Sequence, residues 1–341
     1  MIRHLFLMTA VAWLAIRPSP IRSQPADLFG SEEELRFTVR GDLSTLFNDR
    51  GDQPVWHPVE LAWPEKAATP IRAKVRGHFR KSMSNCGMPP LLLDLSNALP
   101  GYGSLKLVTP CSDDRYVVRE YLVYQAYRLF TEKSFRVRLA RVTFENSRKN
   151  GKQNTALCFL IEDEESVARR NALTVLDRDQ VRPETTDRDT YLTMAIFELF
   201  AANTDWSVQY RQNIKLLTDG KTMFTVPYDF DHAGLVGAPY AKPAPELEMN
   251  SVRERRYRGF CIKDMNDYSQ VIRKFHDRKE AIRSLYTGHP LLDEKYVTAS
   301  LRFIEDFYAI LENEKSKNAV LGYPCRSDGT GHVVIKGLRQ R

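Results

Sequence analysis

The sequence predicts a two-lobed α+β fold, with a small, mostly antiparallel sheet lobe followed by a mainly helical lobe. Three observations carry that prediction. Short period-two segments punctuated by Gly and Pro dominate the chain up to Ile161. Apolar stripes of helical period dominate after it. The acidic stretch Glu162-Asp163-Glu164-Glu165-Ser166 marks the change of texture. The expected division is 1–23 as an export signal, 24–163 as the sheet-rich lobe, 164–325 as the helical lobe with the site, and 326–341 as a tail.

In chain order, Leu5 to Ile16 is an apolar run after Arg3 and His4, ended by Arg17 and prolines. A basic start and about a dozen apolar residues fit a signal peptide. The run is short for a bilayer span, and no later stretch approaches one. The expectation is an exported protein, periplasmic or extracellular, with no integral span after signal removal. Export would place the 5 Cys in an oxidising compartment. An odd count leaves at least one thiol over; Cys86 with Cys111 and Cys261 with Cys325 pair by neighbourhood.

Strands are expected at Glu34–Val39, Val59–Trp63, Ala73–Arg80, Leu91–Leu95 and Leu105–Val108, then a helix over Arg115–Phe130. Strand-like Phe135–Thr143 and Thr155–Ile161 flank a polar loop. Helices follow at Val167–Leu176, Arg188–Ala202, Met265–Tyr286 and Leu292–Leu311. In the second of these, Leu192, Ile196 and Phe200 stack at i, i+4 and i+8.

Composition narrows the class. Hydrophobic residues at 43% and charged residues at 27% exclude a disordered chain or a coiled-coil rod. The net charge of +7 comes from mixed signs, 50 basic against 43 acidic residues, so no nucleic-acid partner is expected. Neither a Gly-x-Ser-x-Gly elbow nor a His-Glu-x-x-His motif occurs, which leaves serine-hydrolase and zinc-protease chemistry without support.

The chemistry concentrates in Leu199–Gly234. A helix end leads into a polar loop with Asn203, Asp205 and Asn213. Ile214–Leu217 and Met223–Val226 form a hairpin around Thr218-Asp219-Gly220-Lys221, and the second strand runs into Tyr228-Asp229-Phe230-Asp231. Mg²⁺ or Mn²⁺ takes one or two carboxylates and completes its shell with water and phosphate. Phosphoryl transfer also needs a carboxylate beside the acceptor hydroxyl. Asp205 is the expected base or positioner, with Asn213, Asp229 and Asp231 on the metal. The order helix, loop, hairpin, Asp is that of a protein-kinase-like core. Such a site needs a strand Lys, often paired with an acid on the next helix. Lys106 and Glu120 are the candidates, although Glu120 must reach around the edge of its helix. His78 and His232, Trp206, and the basic run Arg253-Glu254-Arg255-Arg256-Tyr257-Arg258 are further candidates, the last as an acidic-substrate receiver or a solvated surface.

On these residues the chain resembles the spore-coat CotH-type group of secreted, atypical kinase-like proteins, in a divergent form. The matching pieces are Arg76-Gly77, Leu105-Lys106-Leu107, Asn203-Thr204-Asp205, Asn213 and Pro227-Tyr228-Asp229-Phe230-Asp231, within residues 70–235. The family reads Trp where Tyr228 stands. The resemblance implies an ATP- and metal-dependent phosphotransferase acting on a protein or surface-polymer acceptor. Asp205 would be its acid/base, Asn213 and Asp229 its metal ligands, and Lys106 its contact to nucleotide phosphate, with Arg76 a further nucleotide-binding candidate. Two features depart from the pattern: Asp205 and Asn213 stand far apart for a kinase loop, and Arg76-Gly77-His78 is a poor Gly-rich loop. A noncatalytic binding protein on the same fold and a metal-dependent phosphoester hydrolase are the alternatives.

Overall fold

A computed structural model describes residues 27–327; the expected signal segment and all but the first two residues of the expected tail lie outside them. The fold is α+β. Seven strands form a closed barrel: β1 (Leu35–Gly41), β2 (His57–Ala62), β3 (Thr69–Val75), β4 (Leu91–Asp94), β5 (Ser104–Val108), β6 (Val137–Asn146) and β7 (Lys152–Ile161). Their order around the barrel is β1-β2-β3-β4-β5-β7-β6. The expected sheet is therefore closed rather than open, and it closes through a parallel pair, Leu35 opposite Ala140 to Gly41 opposite Asn146. Closure removes the free edges that an open sheet would have to protect.

The strand sequences explain how the barrel sits. In β7, Ala156, Cys158 and Leu160 belong to the barrel interior, with Val39, Ala73, Leu93, Leu107 and Val142. The alternate residues Leu157, Phe159 and Ile161 face outward into a second, larger core. A strand covered on both faces reads as an unbroken apolar run, as Ala156–Ile161 does. Helix α2 (Asp114–Arg128), capped by Asp113, buries Val117, Tyr121, Tyr124 and Tyr127 in that same larger core. Packing is thus continuous across the expected boundary.

The rest is mainly helical: α3 (Glu164–Arg170), α4 (Arg188–Ala201), α5 (Ser269–Thr287), α6 (Glu294–Glu312) and α7 (Glu314–Leu321). A short helix at Leu43–Asn48, inserted between β1 and β2, was not anticipated, nor was α7. Three expectations need correction. The strand from Ala73 ends at Val75, because Gly77 turns the chain at φ 92. The helix from Val167 ends at Arg170, and Thr174–Val175 instead pairs as β8 with β9 (Ile214–Thr218). The polar loop between β6 and β7 shrinks to a tight turn around Asn150 and Gly151. Helix α4 is buried on nearly all sides, so its apolar residues surround it rather than form one stripe.

Cys86 bonds Cys111 and Cys261 bonds Cys325, while Cys158 stays a buried thiol inside the barrel. No helix among the described residues is long and apolar enough to cross a membrane.

Candidate active site

The expected hairpin forms, and it builds the site. Strand β9 pairs antiparallel with β10 (Met223–Pro227), with Ile214 opposite Pro227. Asn213 stands just before the first strand and Asp229 just after the second, and the Tyr228 N–H donates to the Asn213 carbonyl at 2.9 Å. Two residues far apart in sequence are thereby brought to one end of one hairpin. At the other end, Asp219 Oδ1 accepts the Lys221 and Thr222 N–H groups, and Gly220 takes φ 91. Asn213 (φ 52) and Asp229 (φ 65) both have left-handed backbone, a conformation Asn and Asp adopt more readily than other side chains.

A cavity of about 280 Å³ opens there, between the barrel and the helical half. Asp205, Asn213, Asp229, Asp231 and Arg76 all line it, with His78, Arg80, Gln212, Tyr228 and His232. The polar groups face one space that apolar atoms do not fill. Behind the loop, Asn203 is buried and its Oδ1 accepts the Asp205 N–H at 3.1 Å. Asn213 Nδ2 donates to Asp205 Oδ2 at 3.0 Å and to the Asp205 carbonyl at 2.7 Å; Gln212 Nε2 donates to Oδ1. Burial pushes the Asp205 carboxyl up to about 6, with His232 pulling it down and Asp231 and Asp229 adding to the rise. Helix α2 holds Asp229 from below, as the Asp229 N–H donates to the Tyr124 hydroxyl at 2.7 Å.

Glu120 is placed differently from expectation. It is 2% exposed and its partner is Arg80, Nη2 to Oε2 3.3 Å, not Lys106. Arg80, on the loop after β3, takes the Glu120 carboxylate, while the Lys106 ammonium lies against the Tyr228 and Phe135 rings. Arg80 also reaches Asp229 Oδ1 at 3.4 Å and Asp231 Oδ2 at 3.3 Å. Burial works against its charge, but Glu120 and Asp231 hold the guanidinium charged. Glu120 is therefore an internal anchor and not a wall of the cavity.

Lys106 stands beside the cavity rather than in its wall. Its Nζ lies 4.6 Å from the centre of the Tyr228 ring and 5.9 Å from that of Phe135. It makes no ion pair among the described residues, and neither does Arg76. Burial pushes the ammonium down to about 7, reinforced by Arg76 and Lys215 and opposed by Asp229 and Glu164. Lys215 has an acid of its own, Glu164 at 2.5 Å.

The remaining candidates sort by burial. His232 lines the cavity, is 6% exposed, and meets Phe79 edge-on at 5.1 Å. Trp206 is buried against Tyr191 at 6.5 Å and forms core, not cleft wall. Three of the four arginines of the basic run turn inward, while Arg253 is exposed. Arg255 donates to the carbonyls of Phe200 and Phe303, Arg256 to that of Leu247, and Arg258 to those of Thr204 and Trp206, on either side of Asp205. Arg255, Arg256 and Arg258 are scaffold for the surrounding carbonyls, and only Arg253 offers the solvated face that the sequence suggested. Arg80, Tyr124, Gln212 and Arg258 were missed as site residues. Only spatial proximity marks them, since no motif ties them to Asp205 or Asp229.

The residues fit a hard divalent cation. With its Nδ2 used on Asp205, Asn213 keeps its Oδ1 as an acceptor, and the Asp229 side chain is 41% exposed. Among the described residues no group of three or more His, Cys, Asp or Glu forms a metal cage. An ion held by few protein ligands and completed by water and phosphate is the magnesium type.

No protein-family model matches the chain, and no curated protein matches it. Among solved structures, the Helicobacter pylori proinflammatory kinase CtkA aligns with a TM-score of 0.40 and 10% identity, over 60% of this chain and 86% of that chain. A likeness of that size assigns neither fold nor chemistry here.

Proposed function

We propose that this chain is an exported, kinase-like phosphotransferase that moves the γ-phosphoryl of ATP to a hydroxyl on a protein or surface polymer. One observation carries the reading. A single cavity joins a carboxylate and a carboxamide suited to a hard cation with Arg76 in its wall and Lys106 just beside it, neither of them in an ion pair among the described residues. A half-buried ammonium without a counter-charge is costly, and a phosphate chain would supply the missing anion.

Asp205 orients the acceptor hydroxyl and takes its proton. Gln212 and Asn213 hold its two oxygens, so its direction is set before substrate arrives. Lys106 and Arg76 balance phosphate charge and stiffen the nucleotide's placement. Asn213 Oδ1 and Asp229 would hold Mg²⁺ or Mn²⁺, which supplies charge neutralisation across the transferring phosphate. The two disulfides favour an oxidising compartment, in keeping with export.

The test is incubation of the chain from residue 24 onward with labelled ATP, Mn²⁺ and acceptor proteins, beside Asp229→Ala. Label appearing on acceptor or enzyme only with the unaltered chain supports the reading; equal signal from both removes it.

A further inference from the structure

We infer that Arg80 is a resident cation of this site, so that Asp229 but not Asp231 is left for a metal, and the site takes one divalent ion. The inference rests on the phosphotransferase reading only for the metal's purpose, not for the geometry.

Arg80 is 8% exposed and meets three carboxylates at once, those of Glu120, Asp229 and Asp231, at 3.3 to 3.4 Å. Asp231 Oδ2 takes the Arg80 Nε on one side and the Tyr240 hydroxyl, at 3.0 Å, on the other. Its side chain is 7% exposed against 41% for Asp229. Two acids separated by Phe230 therefore have different surroundings. Asp231 receives two protein donors on Oδ2 and is almost closed off from solvent, whereas Asp229 receives one, on Oδ1, and remains accessible in the cavity. A guanidinium cannot give up its proton to make way for metal, and it repels a second cation that would bridge Asp229 and Asp231.

Arg80 is also held in place without any ligand. Its neighbour Phe79 packs on His232 at 5.1 Å and Tyr240 at 5.4 Å. Asn85 Nδ2 donates to the Phe79 carbonyl at 2.9 Å, and Arg50 donates to the carbonyls of Lys81, Cys86 and Gly87. The Cys86–Cys111 bond ties the far end of the same loop to the segment before α2. That many anchors on one short loop make its arginine part of the site's frame.

The experiment is titration of the chain from residue 24 onward with Mn²⁺ alone, followed by the paramagnetic resonance signal of the free ion. One bound ion is expected, lost in Asp229→Asn and kept within about threefold affinity in Asp231→Asn. In Arg80→Met a second ion binds, or the first binds about tenfold tighter, because one positive charge has gone. Loss of the ion in Asp231→Asn, two ions or none in the unaltered chain, or an unchanged titration in folded Arg80→Met each overturns the inference. If Arg80→Met does not fold, the two aspartate variants decide it. The assay contains no nucleotide. The expected titration without phosphoryl transfer would therefore sink only the functional reading, and transfer with the wrong titration only this inference.

Discussion

Two basic clusters stand at the cavity, one in its wall and one partly behind it, and they are built on opposite terms. At the inner corner Arg80 is enclosed by Glu120, Asp229 and Asp231, so its charge is matched within the protein. At the outer corner Arg76 lines the cavity with Lys106 beside it, neither in an ion pair among the described residues, and burial presses Lys106 toward the neutral form. A matched buried cation organises the groups around it; an unmatched one carries its desolvation cost uncompensated. The difference separates what the fold needs from what a ligand would complete.

That contrast can be broken or sharpened by substitution. The largest effect is expected for Asp205→Asn, which keeps the loop's shape but removes the base. Phosphoryl transfer should fall by roughly 10²–10⁴-fold in kcat with little change in nucleotide KM, read by steady-state kinetics. Its unaltered counterpart should gain activity as pH rises through about 6, where the Asp205 carboxyl loses its proton. Arg80→Met comes next. It strands buried carboxylates and should cost about 3–5 kcal/mol in denaturant unfolding, whereas loss of an outer-corner cation should not.

Lys106→Met should act in the opposite sense on the two readouts. Nucleotide KM should rise about tenfold, while the unliganded protein becomes more stable, because a buried charge has been removed. The sign follows from linkage. The lysine pKa falls from 10.5 in the unfolded chain to about 7 in the folded one. Between those values the unfolded chain binds more protons, so the unaltered protein loses ground to Lys106→Met as pH drops from 10.5 to 7. Below that window the gap should stay constant in thermal melts, and a gap that widened on raising pH would contradict the outer-corner description. The smallest effect is expected for Arg211→Ala. Its partners Asp177 and Asp179 are 86% and 69% exposed, so stability should change by about 1 kcal/mol or less despite the position at the cavity rim.

Much of the fold was legible because strands and helices leave periodic traces. Alternation located six of the seven barrel strands within a few residues, and the helical stripes located α2, α4, α5 and α6. Where the trace misled, the backbone conformation of one residue decided the outcome, as at Gly77, or a long-range pairing overrode a local preference, as where Thr174–Val175 joins β9. Barrel closure left no local sign, since the pairing of β1 with β6 joins segments about a hundred residues apart.

The site was legible to the same degree and for the same reason. Asp205, Asn213 and Asp229 surround a hairpin whose turn residues are plain in the sequence, and the hairpin carries them to one cavity. The pairing of Lys106 with Glu120 failed because Arg80 takes the Glu120 carboxylate, and no local pattern reports the approach of its loop to α2.

By itself the sequence determined the order of elements, the hairpin and the carboxylates at its open end, since these follow from residue type and spacing along a few neighbouring positions. Only the tertiary structure decided which cation meets which acid. Burial and the approach of the loop after β3 to helix α2 set that choice, and both arise from packing between segments that share no local pattern.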